Sequence, residues 1–339
     1  MNDIEQILEQ YLQAKFSDKP ALSFVRLNKL TDGWESDNYL LTVEFGEVPR
    51  TRTDWVCRIY SGVGRQAKAV QEFNSMKRLR KTGYPVPQVL LLEAEHSPVD
   101  RPLIIMEYIQ GEVMWDLLDK ATADRQVQLI DQFCRLFVQL HALDWKQFDN
   151  SLPEYNPFFF IDSWLNEARC KLQNFPEVDG FPFLEWVAAR RTLFSCEHPS
   201  PVHQDFHPGN ILFRGDESAV VIDWTNFAVT DARFDLAWTL VLAHAHGWPG
   251  LRTQILQGYQ RHSGKQVEQI EAFEAIACVR RLLDLTVSLT QGAQRMGMNS
   301  KAVEMMRSSM DAHRRVYRLF FERTDLHFET FDNLFGKSD

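Results

Sequence analysis

The alternation of apolar and polar positions predicts strands in the first third of the chain and helices after it. Trp55 to Tyr60 has the short, β-branched and aromatic character of a strand, and Ser61-Gly62 marks the loop that ends it. From about Gln66 to Arg80 the apolar spacing changes to the helical period among charged residues. Two further strand-like runs flank Leu30 to Tyr39, Val89 to Leu92 follows Pro85-Val86-Pro87, and Leu103 to Gly111 reads as a buried strand ending in a turn. Beyond it, Asp131 to Leu143 is predicted helical, with Phe133, Leu136, Phe137 and Leu140 at core spacing, and Phe234 to Ala245 and Phe273 to Thr290 read as buried helices. The stretch from Asp144 to Pro201 is irregular and aromatic, with Pro157-Phe158-Phe159-Phe160, Trp164 and Trp186.

Candidate chemistry concentrates between His203 and Trp224. Ile211 to Phe213 and Ala219 to Ile222 are strand-like runs joined by Arg214-Gly215-Asp216-Glu217, a polar linker suited to a hairpin that would return Asn210 beside Asp223. Pro208-Gly209 is a turn signal, which puts Asp205 on a tight loop with Asn210 on its far side. Taken singly, these are loop polar residues, a turn former and an Asp after a buried strand. Their joint order is that of a phosphoryl-transfer site: Asp205 to accept the hydroxyl proton, the Asn210 side-chain oxygen and the Asp223 carboxylate as hard ligands for Mg2+.

On these motifs the chain resembles the aminoglycoside phosphotransferase and choline kinase superfamily, small-molecule relatives of protein kinases, over most of its length. His203-Gln204-Asp205 with Asn210 resembles the catalytic loop, Ile222-Asp223-Trp224 the metal-binding segment, and Asp231 through Asp235-Leu236-Ala237 the stretch that follows it. The resemblance implies an α+β, two-lobed protein-kinase-like fold, with a small antiparallel-sheet N-lobe carrying one main helix and a larger, mainly helical C-lobe. The division is expected at the hinge, giving a nucleotide-binding lobe over residues 1–108 and a catalytic and substrate-binding lobe over 109–339. It also implies Asp205 as catalytic base, Asn210 and Asp223 as Mg2+ ligands, ATP or GTP as donor, and His203 and Asp235 as supporting residues, Asp235 bracing the loop through main-chain hydrogen bonds. Arg58 and Glu72 match the strand cation and helix carboxylate that serve the nucleotide phosphates, with arginine where protein kinases have lysine. Leu30 to Tyr39, with Gly33 and Ser36, is similar to the phosphate-covering loop, although its single glycine also fits an ordinary hairpin. Leu103 to Gly111 is similar to the hinge, where main-chain groups of Glu107 and Ile109 would meet the purine, with Met106 at its depth. Glu271, Glu274 and Asp284 lie on helices whose carboxylates contact substrate amines in relatives.

Size and charge narrow the picture. A chain of 339 residues, 45% apolar and 24% charged, has material for two substantial lobes. The net charge of -9 disfavours a nucleic-acid partner and suits a cationic small molecule. No apolar run reaches the length of a membrane span, and the acidic start Met1-Asn2-Asp3-Ile4-Glu5 is unlike a secretory signal, so no membrane partner and a cytoplasmic location are expected. Five scattered cysteines lack metal-ligand spacing and read as reduced, packed thiols, and His244-Ala245-His246 places its rings on different faces of a helix. The sequence leaves the oligomeric state open.

Gln204 stands where many antibiotic kinases carry glycine, and Trp224-Thr225 replaces the Phe-Gly of protein kinases, which fits a small-molecule acceptor. The expected activity is Mg2+-dependent transfer of the γ-phosphate of ATP or GTP to a hydroxyl on a small, amine-bearing molecule. Choline, ethanolamine, homoserine or sugar kinases are alternatives within the class, and a silent pseudokinase-like nucleotide-binding module is the alternative outside it.

Overall fold

The structure is a computed structural model that describes residues 3–32, 36–62, 64–149, 156–175, 178, 180–292 and 301–336. The chain forms two compact units. One is Met1–Glu112 with Ile211–Asn226, the other Val113–Asn210 with Phe227–Met296 and Ser300–Asp339.

The first unit opens with helix α1 (Asp3–Lys15) and then builds strands β1 (Ser23–Asp32), β2 (Ser36–Phe45) and β3 (Thr51–Tyr60). Helix α2 (Arg65–Lys81) follows, then β4 (Val89–Glu93) and β5 (Leu103–Glu107). The five strands form one antiparallel sheet in the order β1-β2-β3-β5-β4. Strand alternation divides β3 between two faces. Trp55, Cys57 and Ile59 join Leu8 and Leu12 of α1 in a buried core, whereas Arg58 and Tyr60 turn to α2. The bounds of α2 agree with its periodicity to within a residue at each end. Arg78, Arg80 and Lys81 in its last turn meet the negative end of the helix dipole.

A two-residue strand, β6 (Glu112–Val113), marks the end of the first long segment. The second unit begins with α3 (Met114–Lys120), α4 (Ala123–His141), α5 (Phe159–Gln173), α6 (Phe181–Ala189) and β7 (Ser200–Val202). Helix α4 starts eight residues before the expected Asp131. Its first turns are mostly solvent-facing and carry no apolar stripe, and the start is fixed instead by Thr122, whose hydroxyl accepts the Arg125 N–H. The aromatic stretch packs on itself: Phe183 meets Trp164 edge-on at 6.1 Å and stacks on Trp186 at 5.7 Å.

Strands β8 (Ile211–Phe213) and β9 (Ala219–Val221) form the expected hairpin, with Ile211 opposite Val221, and belong to the first unit. Val221 N–H donates to the Pro85 carbonyl at 2.9 Å, Arg214 pairs with Glu107 at 2.7 Å, and Trp224 packs edge-on against Tyr84. Gly111 is required here, because a Cβ at this position would collide with the Phe213 carbonyl.

The chain then returns to the second unit with β10 (Ala228–Thr230), which pairs antiparallel with β7. It continues through α7 (Ala232–His246), α8 (Leu251–Ser263), α9 (Ile270–Gln291), α10 (Lys301–Ser308), α11 (Met310–Thr324) and α12 (Glu329–Phe335). α7 packs on α8 and α9, and α11 packs along both α7 and α9. No helix among the described residues is long and apolar enough to cross a membrane. All five cysteines are free thiols, and all but Cys170 are buried.

Candidate active site

In the first unit, residues of β3, α2 and the segment after β9 join in one charged network. Arg58 Nη1 lies 3.1 Å from Glu72, and Nη2 lies 2.9 Å from both the Asp223 carboxylate and the Thr225 hydroxyl. An arginine can serve all three because its planar fork presents separate N–H groups; a lysine would bring one point charge. Thr225 Oγ1 is 3.1 Å from Glu72 Oε2 and 2.9 Å from Asp223 Oδ1, and with a single proton it donates to one of them at a time. Tyr60, two positions beyond Arg58 on the same strand face, donates its hydroxyl to Glu72.

Glu72 is 1% exposed, and burial raises its carboxyl pKa, with Arg58 opposing the shift. Burial also works against the Arg58 charge, but Asp223 and Glu72 together outweigh it and hold the guanidinium protonated. Asp223 has φ 65°, a left-handed conformation uncommon outside glycine, and its side chain is 41% exposed, the most open of the network. Glu72 is thus the enclosed anchor, and Asp223 is the carboxylate presented to solvent.

In the second unit, one face of α7 holds the loop that starts at His203. Asp235, Trp238 and Thr239 stand at i, i+3 and i+4, so their side chains project together. The Asp235 carboxylate, fully buried, accepts the main-chain N–H of His203 at 2.6 Å and of Gln204 at 2.8 Å. Trp238 donates its indole N–H to Asp205 Oδ1 at 2.8 Å, and Thr239 donates its hydroxyl to the Phe206 carbonyl at 2.6 Å. Phe206 is in turn stacked on Phe137 of α4 at 4.2 Å. Gln204, held between these contacts, has φ 62°, which accounts physically for the suitability of glycine at this position.

Asp205 is fixed as a carboxylate. Burial disfavours its charge, yet His207, the Trp238 N–H and His203 outweigh that and hold it well below the usual carboxylate range. His207 Nδ1 accepts the Gly209 N–H, which puts the ring proton on Nε2, 3.7 Å from Asp205 Oδ2. The Asn210 amide nitrogen donates to the Asp205 carbonyl at 2.9 Å, so its oxygen is the end able to meet a cation. His203 accepts the Asp205 N–H at Nδ1.

The remaining nominated residues are placed as follows. Ser36 opens β2 opposite Tyr60, and Gly33 lies outside the described residues. The Glu107 N–H donates to the Gln88 carbonyl, and its side chain pairs with Arg214, so only its carbonyl is left to face a base. Ile109 and Met106 are buried. Glu274 is fully buried and gripped by Arg252 at 2.6 and 2.8 Å and by Arg323 at 3.0 Å, and Asp284 pairs with Lys171 at 2.5 Å. Tyr60, Thr225, Trp238 and Thr239 were not nominated from the sequence. The i+3 and i+4 spacing from Asp235 was a signal for the last two; nothing local marked the first two.

Among the described residues no cluster of three or more His, Cys, Asp or Glu side chains is arranged to hold a metal. Asp223 in the first unit offers a carboxylate oxygen and Asn210 in the second an amide oxygen, each a hard donor of the kind Mg2+ takes beside water and phosphate.

This combination of fold and charged networks defines a protein-kinase-like phosphotransferase. The model of the phosphotransferase enzyme family matches residues 26–271, and the chain belongs to that family. Among solved structures, a ternary complex of a thermostable mutant of aminoglycoside phosphotransferase APH(4)-Ia with ADP and hygromycin B has a TM-score of 0.61 at 16% identity, covering 91% of this chain and 98% of that one. The streptomycin-ATP-APH(2")-IIa ternary complex has a TM-score of 0.60 at 18% identity, covering 87% and 94%. LicA in complex with AMP has a TM-score of 0.58 at 15% identity, covering 95% and 100%. Among curated proteins, acyl-CoA dehydrogenase family member 11 of Rattus norvegicus is 25% identical over 226 residues, 64% of this chain and 28% of that protein. Family member 10 of Mus musculus is 24% identical over 176 residues, 50% of this chain and 16% of that protein. The chain thus spans less than a third of the length of these relatives.

Proposed function

We propose that this phosphotransferase is a Mg2+-dependent kinase that moves the γ-phosphate of ATP or GTP to a hydroxyl of a small molecule, with amine-bearing acceptors as the first class to test. The observation that carries this reading is the Asp205 carboxylate, kept ionised and aimed by Trp238 on a loop braced by Asp235. The nucleotides bound in the solved structures of similar fold, ATP, ADP and AMP, support the choice of donor.

In this mechanism Asp205 orients the acceptor hydroxyl and takes its proton as the hydroxyl oxygen bonds to the γ-phosphorus. The bond from phosphorus to the bridging oxygen breaks, and the nucleoside diphosphate leaves. Arg58 contacts the donor phosphates, and Glu72, Thr225 and Tyr60 fix its fork. Asn210 and Asp223 would hold Mg2+, which would supply positive charge to neutralise the phosphate oxygens. The main-chain carbonyl of Glu107 and the N–H of Ile109 meet the base. Residues 1–108 form the nucleotide lobe in this proposal, and residues 109–339 carry the acceptor.

The test is Mg2+-dependent ADP or GDP release over aminoglycosides, choline, ethanolamine, amino alcohols and sugars, beside Asp205→Asn. Stimulation by an acceptor, lost in Asp205→Asn with nucleotide binding retained, is the expected result. Undiminished turnover in Asp205→Asn would remove Asp205 from the role of base, and failure to bind either nucleotide would sink the kinase reading.

A further inference from the structure

Helix α9 carries a polar stripe along a buried element. Arg281, Asp284, Ser288 and Gln291 fall at i, i+3, i+7 and i+10, within roughly a quarter-turn of one another at 3.6 residues per turn. This stripe begins beside the catalytic loop. Arg280 donates to the Gln204 carbonyl at 3.2 Å and lies over the Trp238 ring at 4.1 Å, the same indole that donates to Asp205.

Its polar atoms are unevenly matched. Asp284 is paired with Lys171, but Arg281 makes no hydrogen bond or ion pair with any described residue, and its buried Nε has no acceptor. Ser288 is fully buried with its hydroxyl unbonded. His313, on α11 packed along α9, is 2% exposed; its Nε2 donates to the Met306 carbonyl, and its Nδ1 has no partner. Burial and the nearby Arg281 charge lower the His313 pKa to about 4, so Nδ1 carries a lone pair at neutral pH. Burial lowers the Arg281 pKa as well, opposed most by Asp205 and less by Asp284, which sets this guanidinium within the field of the Asp205 carboxylate.

Buried polar groups are nearly always bonded, and the Arg281 Nε is an exception on a guanidinium that forms no ion pair with a described residue. Its planar fork matches a carboxylate or a phosphate. Meanwhile two of the three α9 carboxylates are committed to other partners, Glu274 to Arg252 and Arg323 and Asp284 to Lys171, and the third, Glu271, is exposed in the first turn of the helix, away from the stripe. An acceptor approaching Asp205 along this stripe therefore meets positive charge.

We infer that the acceptor carries an anionic group, a carboxylate or a phosphate, which Arg281 binds, with the Ser288 hydroxyl donating to it and His313 Nδ1 receiving an O–H or N–H of the same molecule. This rests on the kinase reading and narrows it to hydroxylated acids, with or without an amine.

The experiment measures kcat/KM on the whole chain with MgATP and matched acceptor pairs: small hydroxy acids and hydroxy amino acids against their amides, and sugar monophosphates against the free sugars. Wild type is expected to favour the anionic member by roughly 30-fold or more, the consequence of leaving such a charge without its partner. Arg281→Met should erase the preference through KM for the acid, and Arg281→Lys should restore part of it. Equal or better turnover of the neutral members by wild type would overturn the anion site and leave the kinase intact. A preference unchanged in Arg281→Met would overturn the assignment to Arg281. No acceptor-stimulated, Mg2+-dependent nucleotide turnover with any member would overturn this inference, while turnover with the amine-bearing panel in the same preparation would leave the kinase reading standing.

Discussion

Replacing Asp235 by Asn should loosen the loop from His203 to Phe206 while keeping its shape. Asp235 is fully buried in the first turn of α7, where the helix dipole favours a negative charge. It receives two main-chain N–H groups, from His203 and Gln204, and His141 Nε2 at 3.3 Å, whose other nitrogen meets the Tyr259 hydroxyl at 2.8 Å. Asparagine keeps one acceptor and substitutes a donor for the other, so one N–H loses a charge-assisted bond and faces an amide NH2. Losing such a bond and stranding a buried donor costs about 3 kcal/mol, which corresponds to roughly 150-fold faster local exchange, since 1.4 kcal/mol is tenfold. Amide hydrogen exchange on the peptide containing His203 to Phe206, compared with one from β2 and β3, would read this directly. Acceleration should be confined to the loop, and kcat should fall more than nucleotide affinity. Unchanged exchange in that peptide would show that Asp235 does not brace the loop.

Three other outcomes follow from particular contacts. Thr225→Val keeps the shape of Thr225 but removes the hydroxyl linking Arg58, Glu72 and Asp223, costing about 1–2 kcal/mol; nucleotide KM should rise about tenfold and Thr225→Ser should reverse most of it, whereas equal KM in both would exclude the hydroxyl. Glu93 has its pKa lowered to about 2 by the Tyr11 hydroxyl, then by the His96 N–H and Lys15. Its contribution of about 3 kcal/mol is present above the ordinary carboxyl pKa and lost as pH falls toward 2. The stability gap between wild type and Glu93→Gln, from thermal midpoints, should therefore narrow from pH 5 to pH 3; a constant gap would contradict it. Gln204→Gly relieves the left-handed strain at φ 62° and should be neutral or stabilising by up to about 1 kcal/mol, so a clearly lowered melting temperature would mean that the Gln204 side chain is needed.

Different parts of the molecule were legible to different degrees. Helix α2 could be bounded because its buried face repeats at the helical period, and the β8–β9 hairpin because two short apolar runs flank a polar linker. The start of α4 was hidden because solvent-facing turns carry no apolar stripe. The loop expected to cover the phosphates had a single glycine to mark it, and Gly33 lies outside the described residues.

By itself the sequence determined the order of chemical groups, from Arg58 and Glu72 through Asp205 and Asn210 to Asp223, together with the class of elements that carry them. Short-range rules suffice for this, since periodicity and turn chemistry act over a few residues. Tertiary structure alone decided which groups are satisfied. Thr225 lies 153 residues from Glu72, and Trp238 lies 33 from Asp205. Glu274, similar to Arg281 in having a charge on a buried helix, is neutralised by arginines from two other helices, while Arg281 forms no ion pair with a described residue and its Nε is unbonded. Charge pairing depends on distances of a few ångströms between segments far apart in the chain, and no local pattern encodes those.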